Sequence, residues 1–147
     1  MLRINYWAVV VAAVAAFVVG ALWYSPLLFG IAYTELRGMN PDAIADMRPS
    51  AGEMLGEFVR YLVVAYVLAR FVVLLRVADR MGALQLGLWV WFGFQAMFLL
   101  GAVIHESMPW KLYAIHAGDA LVKTLLMTVI LGVWRSKKLN PPKTANA

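Results

Sequence analysis

Apolar residues gather in four long runs, Tyr6 to Tyr24, Met54 to Leu75, Gly82 to Ile104 and Leu112 to Trp134, with most polar residues in the stretches between them. A helix needs about 20 residues to cross a hydrocarbon layer roughly 30 Å thick. Each run has about that length, so the pattern predicts an all-α integral membrane four-helix bundle. The first run follows Arg3 and is rich in alanine, as a secretory signal would be. It is longer than the roughly 7 to 15 residues of a signal's apolar core, and it closes on Trp23, Tyr24, Ser25 and Pro26 instead of small residues. It therefore reads as a retained span.

The connection from Leu27 to Gly52 carries signals of its own. Ser25 before Pro26 suits a helix start with proline at the first helical position, and Gly38 suits a stop. Leu27, Leu28, Ile31 and Leu36 share one face, which predicts a short external amphipathic helix at headgroup level between spans one and two. Asn40 and Pro41 start a further turn through Met47. Ser50, Ala51, Gly52 and Glu53 spell a capping box, which starts the second helix at Ser50.

Composition narrows the class. Of 147 residues, 63% are hydrophobic and 14% charged, against about 45–50% and about 25% in soluble domains. The length leaves room for one membrane domain, residues 1–135, followed by a basic tail, 136–147, which reads as a disordered cytoplasmic end able to meet anionic headgroups. Absence of cysteine removes disulfides, thiolate catalysis, iron–sulfur clusters and cysteine-type zinc sites.

The net charge of +5 is distributed unevenly. Arg3, Arg76, Arg80, Arg135, Lys137, Lys138 and Lys143 fall on the side of the termini, and only Arg37, Arg48 and Lys111 on the other. That bias places both termini in the cytoplasm. It also accounts for the basic balance without nucleic acid, which would call for basic residues and stacking aromatics on one folded face. Tyr6, Trp7 and Trp134 at one edge, and Trp23, Tyr24, Tyr33, Trp110 and Tyr113 at the other, suit interfacial belts.

In lipid, helices associate through close approach at small residues and through interhelical hydrogen bonds. Span one offers Ala8, Ala12, Ala16 and Gly20, and span four offers Ala120, Thr124, Thr128 and Gly132. These stripes are candidate contacts, either inside the bundle or in a homo-oligomer. Span three supplies Gly93, Met97 and Gly101 along one edge, with Gln85 and Gln95 able to bond across helices.

The most informative residues are those a membrane resists, since an ionisable group near its centre costs about 2.5 to 3.5 kcal/mol on insertion scales. His116, Asp119 and Lys123 lie on one face of span four, with Asp119 and Lys123 an i,i+4 pair in the favourable order. On span two, Glu57 and Arg60 lie about 5 and 9 Å below Glu53, and Arg60 falls at a height similar to Asp119, from the helical rise of about 1.5 Å per residue. The expectation is an interhelical Arg60–Asp119 ion pair, with Glu57 and His116 in hydrogen-bonding range and Lys123 below. Such a cluster fixes helix pairing, or binds a proton, ion or small solute on a path, or serves catalysis with His116 as base and Asp119 as its orienter. No nucleophile or cofactor motif supports the last. His105, Glu106, His116 and Asp119 suggest metal ligands, yet no HExxH or EF-hand pattern is present. Neither cofactor nor metal is expected.

The stretch Gly20, Ala21, Leu22, Trp23, Tyr24, Ser25, Pro26, Leu27, Leu28, Phe29 and Gly30, with Asn5, Tyr6, Trp7, Ala8 and Val9 before it, resembles the domain-of-unknown-function family 1761. The likeness extends to Trp134 and includes Glu106 and Pro109 ahead of span four. It implies a four-span protein of a bacterial inner membrane, with no assigned activity and no catalytic residues. The reading is a small multi-pass membrane protein, non-enzymatic, structural or accessory, with lipid as its surroundings. The alternative is an oligomeric channel or transporter working through Glu57, Arg60, His116, Asp119 and Lys123.

Overall fold

The computed structural model of the chain describes residues 4–40 and 49–139, and the elements among them are all helical. They are α1 (Tyr6–Trp23), α2 (Gly30–Leu36), α3 (Ala51–Leu74), α4 (Arg80–Val90), a π-helical segment (Trp91–Ala96), α5 (Met97–His105) and α6 (Trp110–Leu139). Three helical stretches are long and apolar enough to cross a membrane: α1, the continuous Arg80–His105 and α6 up to Trp134. Helix α3 has the length, 24 residues, but Glu53, Glu57, Arg60 and Arg70 make it less apolar.

Local chemistry explains most element ends. The Ser50 box forms as its sequence dictates: the Ser50 hydroxyl accepts from the Glu53 N–H at 3.2 Å, and the Ser50 N–H donates to the Glu53 carboxylate at 2.7 Å. Gly38 does stop α2, at φ +67°, and the Met39 N–H reaches back to the Thr34 carbonyl. Asp79 caps α4 by accepting from the Gly82 N–H at 2.8 Å.

The expected helix start at Pro26 is not formed. Ser25 donates its hydroxyl to the Leu22 carbonyl instead of capping, and Phe29 and Gly30 donate to the Trp23 and Ser25 carbonyls. These bonds fold 25–29 into a turn, and α2 begins only at Gly30. A Cβ at Gly30 would overlap the Tyr24 and Ser25 carbonyls, so the turn requires glycine there. The turn expected through Met47 falls on 41–48, outside the described residues. Helix α6 continues to Leu139, so the backbone at the start of the expected tail is helical, and 140–147 lie outside the described residues.

Helix α6 is the centre of the packing. Helix α1 lies against α6 and α3, α4 lies against the other flank of α6, and α3 scarcely meets α4 and α5. The arrangement is thus open on the α3–α5 side. Helices close where small residues permit it. Ala8, Ala12, Ala13 and Ala16 are wholly buried along α1, as are Thr124 and Thr128 on α6. Both expected stripes therefore serve contacts inside the chain.

On α4, a Cβ at Gly87 would come within 2.7 Å of the Thr128 hydroxyl, and one at Gly132 within 2.9 Å of Ala83. The Gly93, Met97 and Gly101 edge plays no such part, since a Cβ at either glycine would meet nothing within 4 Å. Gln95 accepts from the Thr124 hydroxyl at 2.9 Å, as expected of it, whereas Gln85 is exposed. Large apolar side chains cover the outside, among them Phe98, Trp89 and Val18.

Candidate functional site

The Trp23–Pro26 stretch docks the end of α1 onto α6. Trp23 donates its indole N–H to the Ile115 carbonyl at 3.1 Å, and the Tyr24 hydroxyl pairs with His116 Nδ1 at 2.7 Å. Tyr33 of α2 packs edge-on against both Tyr24 and His116. One turn deeper, Lys123 and Asp119 form a buried ion pair at 2.6 Å. The Lys123 ammonium also donates to the Tyr61 hydroxyl at 2.5 Å and lies over the Tyr61 and Tyr24 rings. Gly20 makes room for it, as a Cβ there would sit 2.8 Å from Nζ. The small-residue stripe of α1 thus ends where the lysine head enters.

The expected Arg60–Asp119 ion pair is absent. Arg60 pairs with Glu57 at 2.6 Å on its own helix, just as Lys123 pairs with Asp119 on its own. Neighbours one helical turn apart meet at little ordering cost, so the intrahelical partner wins in both cases. The helices are joined instead by Tyr61, whose hydroxyl accepts from Arg60 at 3.0 Å and from Lys123. Glu57 pairs with Arg60 and not with His116, whose Nδ1 bonds to Tyr24.

Reasoning from sequence missed Tyr61 altogether and assigned Tyr24 and Tyr33 to an interfacial belt. The available signal was a tyrosine beside Arg60, at the depth of the other charges, where its hydroxyl needs a partner.

Two cavities meet at this centre. One, of about 810 Å³, lies between α1, α3 and α6 beside Tyr33, and reaches Glu53, Glu57 and His116. The other, of about 360 Å³, lies in the gap between α3 and the π segment and α5, and reaches Gln95 and Phe98. Arg60, Tyr61, Asp119 and Lys123 line both and stand as their common wall. Asp119 Oδ1 is buried and has no hydrogen-bond partner among the described residues, while Oδ2 is taken by Lys123. At the mouth, the Glu53 carboxylate accepts from the Ser50 N–H at 2.7 Å and from its hydroxyl at 3.0 Å.

The π segment contributes to this wall. Its wider turn shifts the helix register, and Trp91 donates to the Ala117 carbonyl at 2.8 Å while Gln95 meets Thr124. Among the described residues no three of His, Asp and Glu group closely enough to hold a metal ion. His105 and Glu106 are exposed at the end of α5, away from His116.

No curated protein and no solved structure matches the chain. The profile of the family described as "Protein of unknown function (DUF1761)" matches residues 7–132, from the start of α1 almost to the end of the apolar part of α6, and the chain belongs to that family.

Proposed function

We propose that this is a four-span protein of the bacterial cytoplasmic membrane, with both termini in the cytoplasm, that takes a small solute into the cavity beside Asp119 and Lys123. Its biochemical role is transport or solute binding rather than catalysis. The 24 residues of α3 rise about 36 Å, enough to span. Its Glu57 and Arg60 pair with each other and line the larger cavity, and water filling that cavity would spare them from facing lipid. The uneven placing of Lys and Arg supports the orientation.

The observation that carries the solute reading is the common wall: two cavities reach one buried ion pair whose Asp119 Oδ1 lacks a donor. A network that only organised helices would gain from being dry and fully satisfied. Four spans enclose little interior, so passage across the whole membrane calls for a homo-oligomer.

The chain has no cysteine, so Ala120→Cys, which lines both cavities, introduces a single thiol. A charged, membrane-impermeant thiosulfonate added outside right-side-out vesicles labels this variant. Thr128→Cys, on a fully buried residue, stays unlabelled. Protection of Ala120→Cys equal to that of Thr128→Cys would overturn the solute reading in favour of a structural one.

A further inference from the structure

Resting on the solute reading, we propose that the larger cavity selects an organic ammonium, a cation bearing N–H donors on a compact apolar body. Three carboxylates line this cavity, Glu53, Glu57 and Asp119, against two permanent cations, Arg60 and Lys123. Both cations are engaged. Arg60 gives Nε and one Nη to Glu57, shares that Nη with Tyr61, and lies 4.6 Å from the Tyr61 ring centre. Lys123 is held by Asp119, the Tyr61 hydroxyl and two tyrosine rings. Arg37, just beyond the lining, is held by the hydroxyl and ring of Tyr33. The His116 imidazole is bonded to Tyr24.

Among the buried groups, what stays unspent is an acceptor: Asp119, only 9% exposed, has an oxygen with no donor among the described residues, and Glu53 adds an exposed carboxylate at the mouth. The tyrosine rings add negative faces that attract cations. An anion would meet three carboxylates, and the donors left over, on the second terminal nitrogen of Arg60, belong to a side chain that is more than half exposed and already paired with Glu57. A neutral apolar molecule would leave Asp119 Oδ1 as unsatisfied as before. A bare metal ion lacks ligands, since the carboxylates are not grouped for one. A volume of about 810 Å³ suits an organic body, as such sites run from about 300 to 1,000 Å³.

The test uses the full-length protein in phosphatidylcholine nanodiscs and calorimetric titration with three probes of one shape: 2-phenylethylammonium, its N-trimethyl analogue and 3-phenylpropionate, each corrected against empty discs. The ammonium is expected to bind saturably. The trimethyl analogue, which has no N–H for Asp119 Oδ1, should bind about tenfold more weakly, and the carboxylate should not bind. Asp119→Asn should weaken the ammonium about tenfold or more.

Because Asp119→Asn disturbs a buried pair, Glu53→Gln provides a second reading. It keeps a residue type able to complete the capping box while removing the mouth charge, and it should weaken binding about threefold. Carboxylate binding equal to or tighter than ammonium binding would overturn the ligand class while leaving a solute cavity. Saturable binding of none of the three also overturns it, and the cavity itself is then judged by thiol labelling at Ala120→Cys.

Discussion

The two flanks of α6 show what different side chains do to the space between helices. Toward α4, Thr128 and Gly132 face Gly87 and Ala83, and the backbones come so close that an added methyl would clash. Toward α3, Asp119 and Lys123 face Tyr61 and charged residues, and α3 stands off α6 around a cavity, although α1 packs closely on α6 along its alanines. Small residues bring helices together by removing volume, whereas long polar side chains hold them apart and require partners. Both flanks belong to one helix, so the neighbours' sequences decide which flank closes and which stays open.

The largest expected effect breaks the open flank. Lys123→Met leaves Asp119 buried without its cation and should cost about 3–5 kcal/mol, read as unfolding in mixed micelles of rising denaturing detergent. Combining it with Asp119→Leu removes both charges and should regain most of that loss. A double variant as unstable as the single one would show that the pair is not the source.

On the closed flank, Gly87→Leu should cost about 1–3 kcal/mol through overpacking, while Gly93→Leu, where nothing lies within 4 Å, should change stability by less than about 0.5 kcal/mol. Equal effects at the two glycines would dissolve the contrast between packed and open faces. The smallest change lies at the exposed start of α3. Ser50→Ala removes one acceptor from the cap and should cost about 1 kcal/mol in the same unfolding measurement, without altering the labelling of Ala120→Cys.

Much of the framework was legible because each cue is local. The apolar runs mark the helices to within a few residues, the Ser50–Glu53 spacing forms its cap, and Gly38 ends α2. The start at Pro26 was misread because the tertiary turn spends the Ser25 hydroxyl on the Leu22 carbonyl and leaves no cap. At the site, Glu57, Arg60, His116, Asp119 and Lys123 all line the larger cavity. Their pairing was misjudged, since equal height does not choose between a partner on the facing helix and one a turn away on the same helix.

By itself the sequence determined where helices form, which faces are small enough to pack and that His116, Asp119 and Lys123 share one face of a helix, because helical period, volume and charge are properties of neighbours along the chain. Only the tertiary structure decided that Tyr61 joins α3 to α6, that Tyr24 takes His116, and that a cavity of about 810 Å³ is left beside an oxygen with no donor. These depend on how far apart three helix axes stand. That distance is set by packing of all the side chains between them, and no single segment carries it.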